Sequence, residues 1–421
     1  VKKEITNGVW LDVMPTSQFK TIRVEVHFLT KSNARLMAKR ALISNILETS
    51  SKKYPDQVKV THQLSEMFGA GFGAGISKRG RLHDLSFSII TANSTYLDTQ
   101  DDLFKQGIDF LREIIFNPLV TNNRFDESVF ETQKDNLLNY IDSATDDKQY
   151  YAMERLRELN FGTDAIQAIP SYGRRKELEK VNNQDLFAYY QQLLQEDFMQ
   201  ISVSGDIDAE RVLNAFQGWD LTKRNFEIPE LTAQFDKNSV VAVKTEKQML
   251  NQSKLNLAFD FPVYLRDKNY FSAIIFNALF GGTPQSKLFL NVREKASLAY
   301  YASSTLDLLN GMLMVQTGID SVNKEEVLKI VNEQVSEMKL KKPSEKELNE
   351  AKLGLVSDYL SSLDSQRTAH RRSLTNQIMG NVLSDQEWIE GIQGVKDSDV
   401  QRMAELMNLR AVYFLSGENN V

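Results

Sequence analysis

Arg293 and Tyr300 stand seven residues apart in the segment Leu288-Phe289-Leu290-Asn291-Val292-Arg293-Glu294-Lys295-Ala296-Ser297-Leu298-Ala299-Tyr300, which follows Gly281-Gly282. The guanidinium offers fixed donors to carbonyl oxygens and the phenol offers one more, so the pair can grip an extended peptide backbone. To do so they must lie on either side of a turn. The pattern places Arg293 near the end of an apolar helix, Phe271 to Phe280 and then Leu288 to Val292. Tyr300 opens a β-leaning run, Tyr300-Tyr301-Ala302-Ser303-Ser304.

The chain that carries this pair is 421 residues long, enough for two domains or more. Its first strand is Thr21 to Phe28, strictly alternating with Ile22, Val24, Val26 and Phe28 on one face. Helices are expected from Ala34 to Ser50, Val58 to Met67, Asp101 to Ile115, Glu127 to Ile141, Tyr150 to Leu159 and Asn183 to Leu194. Leu85 to Ile90 and Met199 to Asp206 read as strands. The second half repeats the order, with a strand through Leu255 to Phe261, the helix from Phe271, a strand at Met312 to Gln316 and a helix from Lys324 to Leu340. Ser344 with Glu347 makes a capping box for a helix from Glu345 to Leu363. The closing Ser416-Gly417-Glu418 echoes Ser204-Gly205-Asp206, 212 residues earlier. That repetition predicts an α+β fold of two homologous domains, each a mostly antiparallel sheet with helices on one face. The expected bounds are 1–220 and 240–421, joined by a linker at 221–239 where periodicity lapses and Pro229 interrupts.

Composition removes several chemistries. There is no cysteine, which excludes disulfides, thiolate ligands and thiol nucleophiles. A net charge of −6 with well-mixed signs argues against nucleic acid as partner. No run of eighteen apolar residues and no apolar leader occurs, so the expectation is a soluble cytoplasmic protein without a membrane partner. Gly69, Gly71, Gly73 and Gly75 follow a helix rather than a strand and lack a Lys-Ser/Thr ending, so they read as a flexible turn permitting close backbone approach. The histidines are His27, His62, His83 and His370, with no pair at helical zinc spacing, and each reads as a surface or half-buried residue. No Gly-x-Ser-x-Gly elbow is present. Asp101-Asp102 and Asp146-Asp147 read as helix N-terminal or loop acids.

The stretch Phe280-Gly281-Gly282, Leu288-Phe289, Arg293-Glu294-Lys295 and Leu298-Ala299-Tyr300 resembles the C-terminal half of the pitrilysin/insulinase-like peptidases. That family includes the mitochondrial processing peptidase and the core subunits of the cytochrome bc1 complex. Nearly every position matches, though Ser297 stands where the family usually has glycine. The duplicated organisation extends the resemblance over essentially the whole chain. The resemblance implies a zinc site in the N-terminal half, an inverted H-x-x-E-H helix with a downstream Glu. The equivalent helix is Ala41 to Thr49, where Asn45 and Thr49 stand at the histidine positions and Glu48 keeps the base position. The downstream ligand position falls on Tyr140, or on Asn139 if the register shifts by one.

Amide and hydroxyl oxygens are weak zinc ligands beside imidazole. Without the metal, water keeps a pKa of about 15.7 instead of about 7. The difference is roughly 12 kcal/mol of deprotonation cost, which Glu48 alone cannot supply. No cofactor is therefore expected. The resemblance implies that Arg293 and Tyr300 hold the substrate backbone and that some members split the zinc and Arg/Tyr segments between two homologous chains. This sequence is similar to the second kind: a zinc-less subunit of a processing peptidase, paired as a dimer with a zinc-bearing homologue or with itself. The competing readings are a non-enzymatic scaffold or peptide-binding protein, and an autonomous peptidase with another metal site.

Overall fold

The computed structural model describes residues 1–219, 221–232, 240–380 and 382–417. Along the chain the first elements are β1 (Lys2–Thr6), β2 (Val9–Pro15), β3 (Thr21–Lys31), α1 (Ala34–Thr49), α2 (Gln57–Glu66), β4 (Gly71–Arg79), β5 (Leu82–Ala92) and α3 (Leu103–Phe116). The short pair β6 (Val120–Thr121) and β7 (Arg124–Phe125) precedes α4 (Glu127–Ser143), α5 (Lys148–Phe161), α6 (Arg175–Glu179), α7 (Asn183–Glu196), β8 (Phe198–Gly205) and α8 (Ala209–Ala215). The remainder comprises β9 (Ala242–Gln248), β10 (Ser253–Asp260), α9 (Tyr270–Asn277), β11 (Ala299–Asp307), β12 (Met312–Ile319), α10 (Lys324–Leu340), α11 (Glu345–Ser362), α12 (Gln366–Met379), α13 (Asp385–Gly394), α14 (Asp397–Leu406) and β13 (Asn408–Gly417).

These elements form two compact units, but not the contiguous halves expected from the sequence. The first unit holds residues 1–142, 170–229 and 363–382, and the second holds 143–169, 230–362 and 383–421. Helix α5 therefore belongs to the second unit and α12 to the first. Of the expected linker, residues 221–229 pack into the first unit. Arg224 is buried there, its backbone N–H donating to Asn7 O at 2.8 Å and its Nη2 to Leu194 O at 2.5 Å. Asp220, residues 233–239 and Glu418 of the closing turn lie outside the described residues.

In the first unit a six-stranded sheet runs β1-β2-β8-β3-β5-β4, antiparallel except for the β2–β8 pair. Strand alternation sends Leu11, Val24, Val26, Phe87 and Ile201 to one face, where they meet Leu42 and Ile46 of α1 and Ile108 and Leu111 of α3. Burying these side chains is the main force holding the layer together. The other face is polar: Asp12, Glu25, His27, Gln200 and Ser204 lie under α12. Gln366 donates to Thr21 O at 3.0 Å and to Ser204 O at 3.2 Å, and Gln200 donates to Ser373 Oγ at 3.0 Å.

The second unit repeats this plan. Its sheet runs β9-β13-β10-β12-β11, with β9 and β13 parallel and the other pairs antiparallel. Position by position it matches β2-β8-β3-β5-β4, so the duplication holds at the level of topology, and among the described residues β1 has no counterpart. Leu255, Leu257, Phe259, Val315 and Phe414 face α9, α10 and α14. The second face carries α5, whose Ala152 and Leu156 pack on Ala258, Ala411 and Tyr413. Glu246 accepts from both Tyr151 Oη and Tyr413 Oη at 2.8 Å, tying α5 to two strands. Among the described residues, helices thus cover one face of each sheet, and one helix, α12 or α5, crosses the other. The Ser344–Glu347 capping box forms as its spacing predicts, with the Ser344 N–H reaching Glu347 Oε2 at 2.8 Å. Among the described residues no helix is long and apolar enough to cross a membrane.

Candidate functional site

The Arg293 segment is not a continuous α-helix. After α9 the chain makes two π-helical turns, Ala278–Gly282 and Phe289–Lys295, the second carrying Arg293. Such turns are rare and recur at functional sites because they re-aim side chains. The second turn is held in place by Asn291, whose Nδ2 donates to Lys287 O at 2.9 Å and to Gln334 Oε1 of α10 at 2.8 Å. Lys295 Nζ in turn donates to Asn291 Oδ1 at 3.0 Å. The Arg293 guanidinium stays half exposed, 4.7 Å over the Phe289 ring and 3.7 Å from the exposed Glu294 carboxylate. A solvent-screened contact of that length holds the side chain weakly, so the guanidinium is available to a ligand.

Tyr300 is delivered by a different device. β11 pairs Ala299 with Ile319 and Tyr301 with Gly318, which leaves Tyr300 as the extra residue of a β-bulge. The bulge turns the phenol out of the ladder, and the residue is 60% exposed. β11 is also the outer strand of its sheet. Just before it, Ser297 has φ +54°, a left-handed conformation that favours glycine. That geometry accounts for the glycine preference noted at this position in the family.

In the first unit, α1 carries the positions that the resemblance assigns to the metal. The Thr49 hydroxyl folds back onto its own helix, 3.1 Å from the carbonyls of Asn45 and Ile46. Asn45 is half-buried. The Glu48 carboxylate accepts the backbone N–H of Ala74 in β4 at 3.3 Å, and burial pushes its pKa above the usual carboxylate range. Tyr140 is exposed, edge-on to Tyr172 with ring centroids 5.5 Å apart. Asn139 is exposed as well.

Comparison with known proteins decides the family. Residues 180–355 match the model described as "Peptidase M16 inactive domain". The chain is 29% identical over 419 residues to the "Probable inactive metalloprotease YmfF" of Bacillus subtilis (strain 168), covering 97% of this chain and 96% of that one. This chain belongs to the pitrilysin-like M16 peptidase family. A solved structure of a conserved protein from Enterococcus faecalis V583 superposes with TM-score 0.94 at 37% identity, covering 100% of this chain and 99% of that one. The peptidase M16 inactive domain from Pseudomonas fluorescens shares the fold at TM-score 0.80 and 16% identity, over 100% and 98% of the two chains.

Within the pitrilysin-like family this chain is a zinc-less, non-catalytic relative, because its four histidines form no H-x-x-E-H. The residues at the positions that the resemblance assigns to the ligands do not fit a zinc ion. They present an amide, a back-bonded hydroxyl and a phenol, and among the described residues no group of three or more His, Asp or Glu side chains could hold a metal.

Three histidines depart from the sequence expectation, since His27, His83 and His370 are all buried. His27 lies 3.1 Å from Asp84 and 3.2 Å from Glu25. Burial alone would lower its pKa, but the two carboxylates reverse this and hold it at about 9. Glu25 is likewise opposed by burial, yet His27, His370 and Arg23 bring it to about 2. Burial lowers His370 to about 4 and keeps it neutral, 2.8 Å from Ser204 Oγ. Ser204, His370 and Glu25 stand in the order of a nucleophile, base and acid. The serine is buried under α12, however, and uncovering it would carry His370 away. The cluster docks a helix.

The glycine run also departs from expectation. Gly71, Gly73 and Gly75 lie inside strand β4, and the turn is confined to Phe68 and Gly69, both at positive φ. Asp102 and Asp147, by contrast, cap the N-termini of α3 and α5 as their sequence context suggests.

Proposed function

We propose that this chain is the non-catalytic subunit of a pitrilysin-like peptide-processing protease in the cytoplasm. It orients an extended peptide through Arg293 and Tyr300 while a zinc-bearing homologous partner supplies metal and general base. The observation that carries this reading is the bulge that turns Tyr300 outward on an edge strand, in a segment that also leaves the Arg293 guanidinium without a buried partner. A chain kept only for its fold has no need of either. The free edge of β11 supports it further, since an added peptide strand gains backbone hydrogen bonds there and side-chain contacts from Tyr300.

The direct test is reconstitution. The purified chain and a zinc-bearing homologue with an intact H-x-x-E-H helix are each assayed for peptide cleavage alone and then together. Cleavage that needs both chains supports the role, whereas peptide binding without partner-dependent cleavage points to a scaffold or peptide-binding protein.

A further inference from the structure

Glu48 keeps the base position of a metal helix that holds no zinc ligands, and its carboxylate is engaged elsewhere. It accepts the Ala74 N–H at 3.3 Å in β4, the outer strand of the first sheet, which among the described strands pairs with β5. In an antiparallel ladder the N–H and C=O of a residue point the same way, and successive residues alternate. The hydroxyls of Ser86 and Ser88 on β5 lie 3.5 Å from the carbonyls of Gly75 and Gly73, so those carbonyls point inward to β5. The backbone groups of Phe72, Ala74 and Ile76 therefore point out from the free edge. Glu48 occupies the central N–H of that row.

A Cβ at Gly75 would meet nothing within 4 Å, and at Gly73 its nearest neighbour would be Glu48 Oε1 at 3.8 Å. Glycines spaced along an outer strand admit close approach by another backbone, and an open edge of this kind pairs readily with any extended chain. We propose that Glu48 is a lock on this edge: it holds the Ala74 N–H that an incoming strand must take, so that an extended peptide adds to β4 only by displacing it. This deepens the peptide-binding reading above and rests on it. Glu48 would then act as a gate on binding, with no part in proton transfer.

The test uses the full chain and a fluorescein-labelled peptide of alternating threonine and valine between terminal lysines, followed by fluorescence anisotropy. Glu48→Ala should bind about threefold to tenfold more tightly than the parent, the range expected for one net hydrogen bond. Glu48→Gln, which keeps the shape with a neutral acceptor, should fall between them, and thermal melts confirm that both variants fold. In the unliganded Glu48→Ala protein the Ala74 amide should exchange its hydrogen faster while Gly73 and Gly75 stay protected. Equal or weaker binding by Glu48→Ala overturns the lock. If that happens while Tyr300→Phe still weakens binding, the peptide-binding reading stands alone. Failure of the parent and both variants to bind the peptide overturns both.

Discussion

Gly281 lies so close to Ser304 that a Cβ added to it would stand 2.6 Å from the serine Oγ and 2.8 Å from its backbone N. The first π-helical turn is thereby pressed against edge strand β11, and the contact brackets the stretch of chain that carries Arg293 and Tyr300. Ser304 Oγ also donates to Asn277 Oδ1 at 2.8 Å, which joins the end of α9 to the same strand. Gly281→Ala should therefore destabilise the second unit by about 1–3 kcal/mol, the cost of overpacking a tight contact. Denaturant unfolding monitored on that unit measures it, and an unchanged midpoint would mean that the contact relaxes freely.

Ser297 predicts the opposite sign. A non-glycine residue in the left-handed region costs roughly 1–2 kcal/mol, while glycine gives back roughly 0.5–1 kcal/mol as unfolded-chain entropy. Ser297→Gly should stabilise the fold by about 0.5–1 kcal/mol. The expected readout is a higher unfolding midpoint with an unchanged denaturant slope.

Stability should depend on pH through the cluster under α12. His27 is raised to about 9, so its contribution is full below its ordinary 6.5 and is lost as pH rises through 9. His370 is lowered to about 4, so below 6.5 the unfolded chain binds the extra proton, and stability falls as pH drops toward 4. Glu25, lowered to about 2, adds a further loss as pH falls from 4.5. Asp84 is opposed by burial but lowered by His27 and Arg79, and it acts in the same direction. The first unit should be most stable near pH 6.5, and His27→Gln should flatten the alkaline limb. Unfolding free energies measured across the pH range check both points, and a His27→Gln profile parallel to the parent's would contradict the assignment.

The sequence made some of this legible and hid the rest for physical reasons. Alternating polarity in Thr21 to Phe28 and in Leu255 to Phe261 exposes the two sheets, because one face of each strand packs on an apolar helix layer while the other, also largely buried, carries mostly polar or small side chains. The Arg293–Tyr300 segment stands out as a candidate site by residue type and spacing. The bulge at Tyr300 left no mark, since one unpaired residue changes register without changing composition. The unit membership of α5 and α12 was equally silent: His370, Ser373 and Gln366 look like a polar helix face until the polar strand face beneath them is known. Gly69 to Gly75 follow a helix and lack a phosphate-loop ending, which reads as a turn, whereas Gly71, Gly73 and Gly75 lie in outer strand β4, where glycine is tolerated without being signalled by composition.

The most direct test of the central claim is peptide cleavage by a zinc-bearing homologue, measured as kcat/KM with the parent chain, with Arg293→Ala and with Tyr300→Phe. If this chain orients the substrate, the parent stimulates cleavage and each variant loses about tenfold to a hundredfold of it, as expected when reacting groups are mispositioned. Variants that stimulate as well as the parent, or cleavage by this chain alone, would contradict the account.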